Sequence, residues 1–178
     1  LELRFLDIAF SALTPVADKS IHTFATDGNM FYFSTEQILR VFKQNAAFLD
    51  RAYLHSVLHC IFSHLWVGGK RDRWLWNIAC DIAVEYTICQ MGLDAVSIAR
   101  DVELNEKFHI LKKQLTQLTA EKVYRYFRVN ELSSSGMEEW SNLLYKDHHV
   151  KWLGKEEAQE QMEEWLKISE RVKTDLKT

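Results

Sequence analysis

The chain has 178 residues, 47% apolar and 26% charged, with a formal net charge of −3 and an isoelectric point near 6.2. That is enough apolar surface for a buried core, and the near-neutral balance excludes the basic field that gathers nucleic acid or an anionic membrane surface. No apolar run approaches the roughly 20 residues of a bilayer-spanning helix, so neither a membrane nor a nucleic-acid partner is expected.

Residues 2–13 place Leu3, Leu6, Ile8, Phe10 and Leu13 at roughly helical spacing, and Thr14-Pro15 ends the pattern. Residues 22–33 read as a β-hairpin, with Asp27-Gly28 tolerant of positive φ and aromatic or β-branched flanks. Ser34, with Gln37 three residues later, forms a capping-box pattern opening a helix to about residue 45. The next helix runs from about 50 to 66 and stops at Gly68-Gly69. A strongly apolar helix follows from about 73 to 91 and closes at Gly92. From there to about 118 the pattern weakens to an irregular connection. Thr119 caps a short helix, and Ser133-Ser134-Ser135-Gly136 reads as a linker. A mostly polar helix from about 155 to 172 carries its acids early and its bases late, matching the helix dipole. The fold class is therefore mainly α, α+β, with one small hairpin. The three cysteines, Cys60, Cys80 and Cys89, lie in apolar helical contexts and read as reduced core thiols of a cytoplasmic protein.

The chemistry concentrates in residues 55–64, His-Ser-Val-Leu-His-Cys-Ile-Phe-Ser-His. Histidines four apart on a helix lie about 40° apart around its axis, so both rings reach one metal ion. In the His-Glu-x-x-His spacing of zinc hydrolases, the glutamate accepts a proton from the attacking water. Here Ser56 takes that place, and a hydroxyl is no base near neutral pH. Apolar Leu54, Val57, Leu58, Ile61 and Phe62 predict burial, where imidazoles need partners. Asp81 and Glu85, again four apart, require a positive partner, either a metal or a base such as Arg71 or Arg73. His64 falls about 180° from His55 on a straight helix, which makes it a core or surface histidine rather than a ligand. Asp147-His148-His149, with Trp152 following, reads on spacing alone as a polar turn.

Several segments taken in order resemble a bacterial metallopeptidase domain, zincin-like, that is found N-terminal to a von Willebrand factor A-like domain. They are Thr26-Asp27-Gly28 with Phe31-Tyr32-Phe33, the 55–64 helix, and Trp76-Asn77-Ile78-Ala79-Cys80-Asp81. Ala120-Glu121-Lys122-Val123-Tyr124 and Asp147-x-His149-x-x-Trp152 complete the set, which spans most of residues 20–155. The resemblance implies a zincin-like domain over residues 1–154 with the hairpin edge beside the zinc helix. Residues 155–178 would be a C-terminal helix leading to a domain outside this chain. It also implies Zn²⁺ held by His55 and His59, with Asp81 the third ligand. Two departures stand out: Ser56 replaces the family's glutamate, and Glu85 occupies a position where an asparagine-like residue is expected. Glu85 is then a substitute base, a ligand or a partner of a histidine, and which of Asp81 and Glu85 touches the metal stays open.

Two functions compete. In a hydrolase acting on a peptide or protein, His149 would stabilise the developing oxyanion and Glu85 would replace the missing base. In a pseudoenzyme the metal site survives and the module acts through a partner, for which the resemblance suggests a MoxR-type AAA+ ATPase. Loss of a general base costs about 10²–10⁴ in rate, so the expectation is a metallopeptidase-like domain with weak or no hydrolysis.

Overall fold

The structure, a computed structural model, describes residues 4–144, 146–154, 156 and 158–177. Its helices and strands follow in the order α1 (Asp7–Phe10), β1 (Thr14–Ala17), β2 (Phe24–Thr26), β3 (Met30–Phe33), α2 (Thr35–Gln44), α3 (Ala46–Ile61), α4 (His64–Val67), α5 (Arg73–Met91), α6 (Asp101–Lys112), α7 (Ala120–Val129), α8 (Ser134–Leu144) and α9 (Gln159–Asp175). This is a mainly α, α+β chain with one three-stranded sheet among the described residues, as the sequence predicts. No helix among them is long and apolar enough to cross a membrane. The chain forms two compact units, Leu1–Gly69 with Lys146–Thr178, and Lys70–Tyr145.

In the first unit the strands lie in the order β1-β3-β2, with β1 parallel and β2 antiparallel to β3. Strand β1 is an addition to the predicted hairpin. The expected first helix begins outside the described residues and shrinks to a 3₁₀ turn, Arg4–Leu6, and the single turn of α1. The chain then turns to pair Thr14 with Met30. Thr14 N donates to Asn29 O at 2.9 Å and Asp18 N to Phe33 O at 2.8 Å. Alternation therefore turns Pro15, which has no N–H, toward the sheet's edge, where its missing donor breaks no ladder bond.

The hairpin turn is held by side chains. Asp27 Oδ1 accepts from the backbone N–H groups of Asn29 and Met30, both at 2.8 Å, and Tyr32 Oη donates to Asp27 Oδ2 at 2.7 Å. Gly28 has φ +92°, a conformation that favours glycine, and a Cβ there would come within 2.7 Å of the Trp66 ring. Its carbonyl accepts from Trp165 Nε1 at 2.6 Å, so the turn is fastened to α9. That helix is polar on one side only. Trp165, Ile168 and Val172 are buried, α9 packs on α1 and α3, and Ser169 Oγ donates to Ile61 O at 2.7 Å.

The second unit is helical. Leu75, Ile78 and Ile82 of α5 pack with Leu104 and Phe108 of α6, Val123 and Phe127 of α7, and Trp140 of α8. Two stretches differ from the sequence expectation. The irregular stretch after Gly92 contains the twelve-residue helix α6. Its core stripe is Leu104, Phe108 and Leu111, but Val102 and Ile110 face solvent at 70% and 62% exposure and blur the periodicity. The serine-glycine stretch is the start of a helix rather than a linker: Ser133 Oγ accepts from Gly136 N at 3.1 Å and so caps α8.

Candidate metal centre

Helix α3 is started by Asn45, whose side-chain oxygen accepts from Ala47 N. It then runs almost wholly buried from Arg51 to Cys60. Arg51, His55 and His59 step along one face a turn at a time. The Nε2 atoms of His55 and His59 stand 2.8 Å apart, with neither residue exposed. Two imidazole lone pairs cannot face each other at that distance in a dry interior without a proton or a cation between them.

The helix breaks where the sequence predicts continuity. Ser63 takes a left-handed conformation with φ 61° between Ile61 and the short helix α4. The break cancels the half-turn that separates His64 from the metal-facing side of a straight helix. His64 is buried, and its Nδ1 lies 3.0 Å from His59 Nδ1. If His59 Nε2 is to keep a lone pair for a metal, its Nδ1 must carry the proton and His64 Nδ1 must accept it. His64 is thus neither a surface nor a plain core histidine but a hydrogen-bonding partner of His59.

The remaining donors come from residues 146–149, laid beside β2. Thr23 Oγ1 donates to Lys146 O at 3.0 Å and His148 N to Phe24 O at 2.7 Å. In an extended segment alternate side chains share a side, so Asp147 and His149 turn inward together and both are buried. Asp147 Oδ1 lies 3.2 Å from His149 Nε2 and 3.4 Å from His55 Nε2. Neither Asp147 oxygen is aligned for a hydrogen bond within the described structure. That is expected of groups aimed at a shared point rather than at one another. Trp152 stacks on His149 with ring centroids 3.7 Å apart and meets His59 edge-on at 5.0 Å. Burial pushes the Asp147 carboxyl up, but His149 and His55 outweigh it and hold the group well below the usual carboxylate range.

His55, His59, Asp147 and His149 each present one donor atom, and these lie within 4.8 Å of one another. A tetrahedral zinc site with bonds of ~2.0–2.1 Å has donor-to-donor separations of about 3.3 Å. Three of the separations, 2.8, 3.2 and 3.4 Å, bracket that value, so the donors are spaced to suit a metal ion.

A family model described as "Putative metallopeptidase domain" matches residues 4–171. The chain belongs to that family. No curated protein and no solved structure matches it.

In this metallopeptidase-family chain, Ser56 is completely buried on α3, and its hydroxyl makes no hydrogen bond within the described structure. Asp81 and Glu85 both lie on α5 of the second unit, Glu85 fully buried and Asp81 partly so. Asp147 therefore supplies, inside the first unit, a carboxylate that sequence reasoning sought only on α5. The sequence pattern Asp147-x-His149-x-x-Trp152 was noticed, but its alternation fits an inward-facing extended segment as well as the polar turn read from spacing, so Asp147 was not foreseen as a donor. Cys60 and Cys80 are free and buried, and burial raises both thiols above their ordinary range.

Proposed function

We propose that this domain is a zinc-binding, zincin-like metallopeptidase relative with weak or no peptide hydrolysis. His55 and His59 are the core ligands, and the carboxylate comes from Asp147 or, as the resemblance implies, from Asp81. Bound zinc supplies Lewis acidity for polarising a carbonyl. The observation that carries the reading is Ser56: directly beside His55, in a fully buried setting, a hydroxyl stands where a proton-accepting carboxylate is needed. Burial does not make that hydroxyl a base, and removing a general base costs about 10²–10⁴ in rate. The pseudoenzyme reading follows, with a MoxR-type ATPase as partner, a von Willebrand factor A-like neighbour outside this chain, and a cytoplasmic setting in which the buried thiols stay reduced. In the hydrolytic alternative Glu85 is the base and His149 the oxyanion donor.

The test is hydrolysis of an unstructured casein substrate by zinc-loaded protein. The expected result is no turnover above a chelator-treated control. Robust hydrolysis that disappears in Glu85→Gln would overturn the reading and make Glu85 the base.

A further inference from the structure

We propose that a basic groove of the second unit binds a small ligand carrying adjacent phosphate groups, either a nucleoside diphosphate or inorganic pyrophosphate. The groove is lined only by residues between 70 and 129 and has a volume of about 540 Å³, the size of a small-molecule site. It uses none of the candidate metal donors, so the inference goes beyond the metallopeptidase reading and does not depend on it.

Local sequence explains how the groove forms. Ala120, Val123 and Phe127 bury one side of α7. Glu121, Tyr124, Arg125 and Arg128 follow at three- and four-residue steps, so they share the neighbouring face and line the groove. Lys70 and Arg71, from the turn before α5, join them. That turn is fastened to α7 through Tyr124, whose Oη accepts from Asp72 N at 3.0 Å. Asp72 Oδ1 in turn caps α5 by accepting from Leu75 N at 2.8 Å. The Arg71 guanidinium lies 4.5 Å from the Trp76 ring centroid and 5.8 Å from that of Tyr124, where the ring faces attract it. The turn and one guanidinium are therefore held in place without a ligand.

Four cations share this groove with a single carboxylate, Glu121, on a chain whose net charge is −3. Lys70, Arg125 and Arg128 enter no ion pair among the described residues. The helix dipole accounts for Arg128, in the last turn of α7, but not for the other three. Like charges gathered in a concave site focus a positive potential, which a multiply charged anion relieves better than a lone carboxylate. Guanidinium groups present paired N–H donors that match phosphate oxygens. Arg125 and Arg128 are three residues apart on α7, so their Cβ atoms stand about 5–6 Å apart, close enough to grip neighbouring phosphates.

Isothermal titration of the full chain with pyrophosphate, ADP and a poly-glutamate peptide tests this. Saturable binding of pyrophosphate or ADP is expected, weakened by added salt and by about tenfold or more in each of Arg125→Gln and Arg128→Gln. Both arginines are exposed, which leaves the fold of the variants intact. Lys113→Gln, which alters an exposed cation outside the groove, should bind like the unaltered protein. Tighter binding of ADP would identify a nucleotide as the source, and tighter binding of pyrophosphate a simpler diphosphate; both support the site. Equal losses in all three variants would show diffuse attraction and overturn it. Binding that survives in both arginine variants but disappears after chelator treatment would put the phosphates on a metal ion and also overturn it. So would binding of poly-glutamate alone, the sign of an acidic protein partner, or no binding of either phosphate compound.

Discussion

At Ser56 a buried hydroxyl stands beside His55, where the proposed function would need a carboxylate to hydrolyse a peptide. The serine hydroxyl is small enough to be buried with no partner within the described structure, a loss of about 1–3 kcal/mol in a tightly packed setting. His64 shows a different kind of residue effect, because its ring nitrogen meets His59 Nδ1 at 3.0 Å. With metal on His59 Nε2, His64 Nδ1 would accept the hydrogen bond from His59 Nδ1–H and hold the tautomer that leaves Nε2 its lone pair. His64→Ala should therefore weaken zinc affinity by about 10–100-fold, measured by competition with a chromophoric chelator, with little change in helix content. An unchanged affinity would reduce His64 to packing. The His55–His59 pair was legible in the sequence because it depends only on helical period. His64 was not, because Ser63 leaves the helical conformation with neither glycine nor proline to announce it.

At the scale of elements, the 146–149 segment brings two of the candidate donors beside β2, and the hairpin turn is tied to α9. The Asp27-Gly28 turn was readable because positive φ has a residue signature. Its fastening to Trp66 and Trp165 was not, since those contacts span 38 and 137 residues of chain. Gly28→Ala combines the strained φ with a 2.7 Å clash against an aromatic ring. It should cost about 1–3 kcal/mol in urea unfolding, and a neutral result would mean that the turn relaxes freely. Tyr32 gives the same turn a pH signature. Its hydroxyl donates to Asp27, and that bond, with some burial and the nearby negative charge, raises its pKa from 10.0 to about 12. The folded state favours the protonated phenol. Its contribution is full below about 10 and is lost as pH rises from there through about 12. Tyr32→Phe should flatten this part of the alkaline stability profile, and an identical slope in both proteins would contradict the assignment. Helices α6 and α8 were illegible for opposite reasons: solvent-facing Val102 and Ile110 obscured one period, and a capping serine resembled a linker in the other.

Across the whole molecule, composition and periodicity reveal the α+β class, but they do not reveal which distant segments meet. The candidate ligand residues 55–59 and 147–149 belong to one compact unit that the chain leaves and re-enters, with a helical unit built in the interval. A sequence pattern records each half separately. What the halves share is a set of imidazoles and carboxylates that could hold a metal ion, and whether a metal occupies it decides the proposed function. The direct measurement is elemental analysis of protein purified without chelator or affinity tag, beside His55→Ala and His59→Ala prepared identically. About one zinc per chain is expected in the unaltered protein, with near-complete loss in each folded variant. Full zinc retention by either variant, or a metal-free unaltered protein that stays metal-free when dialysed against excess zinc at neutral pH, would contradict it.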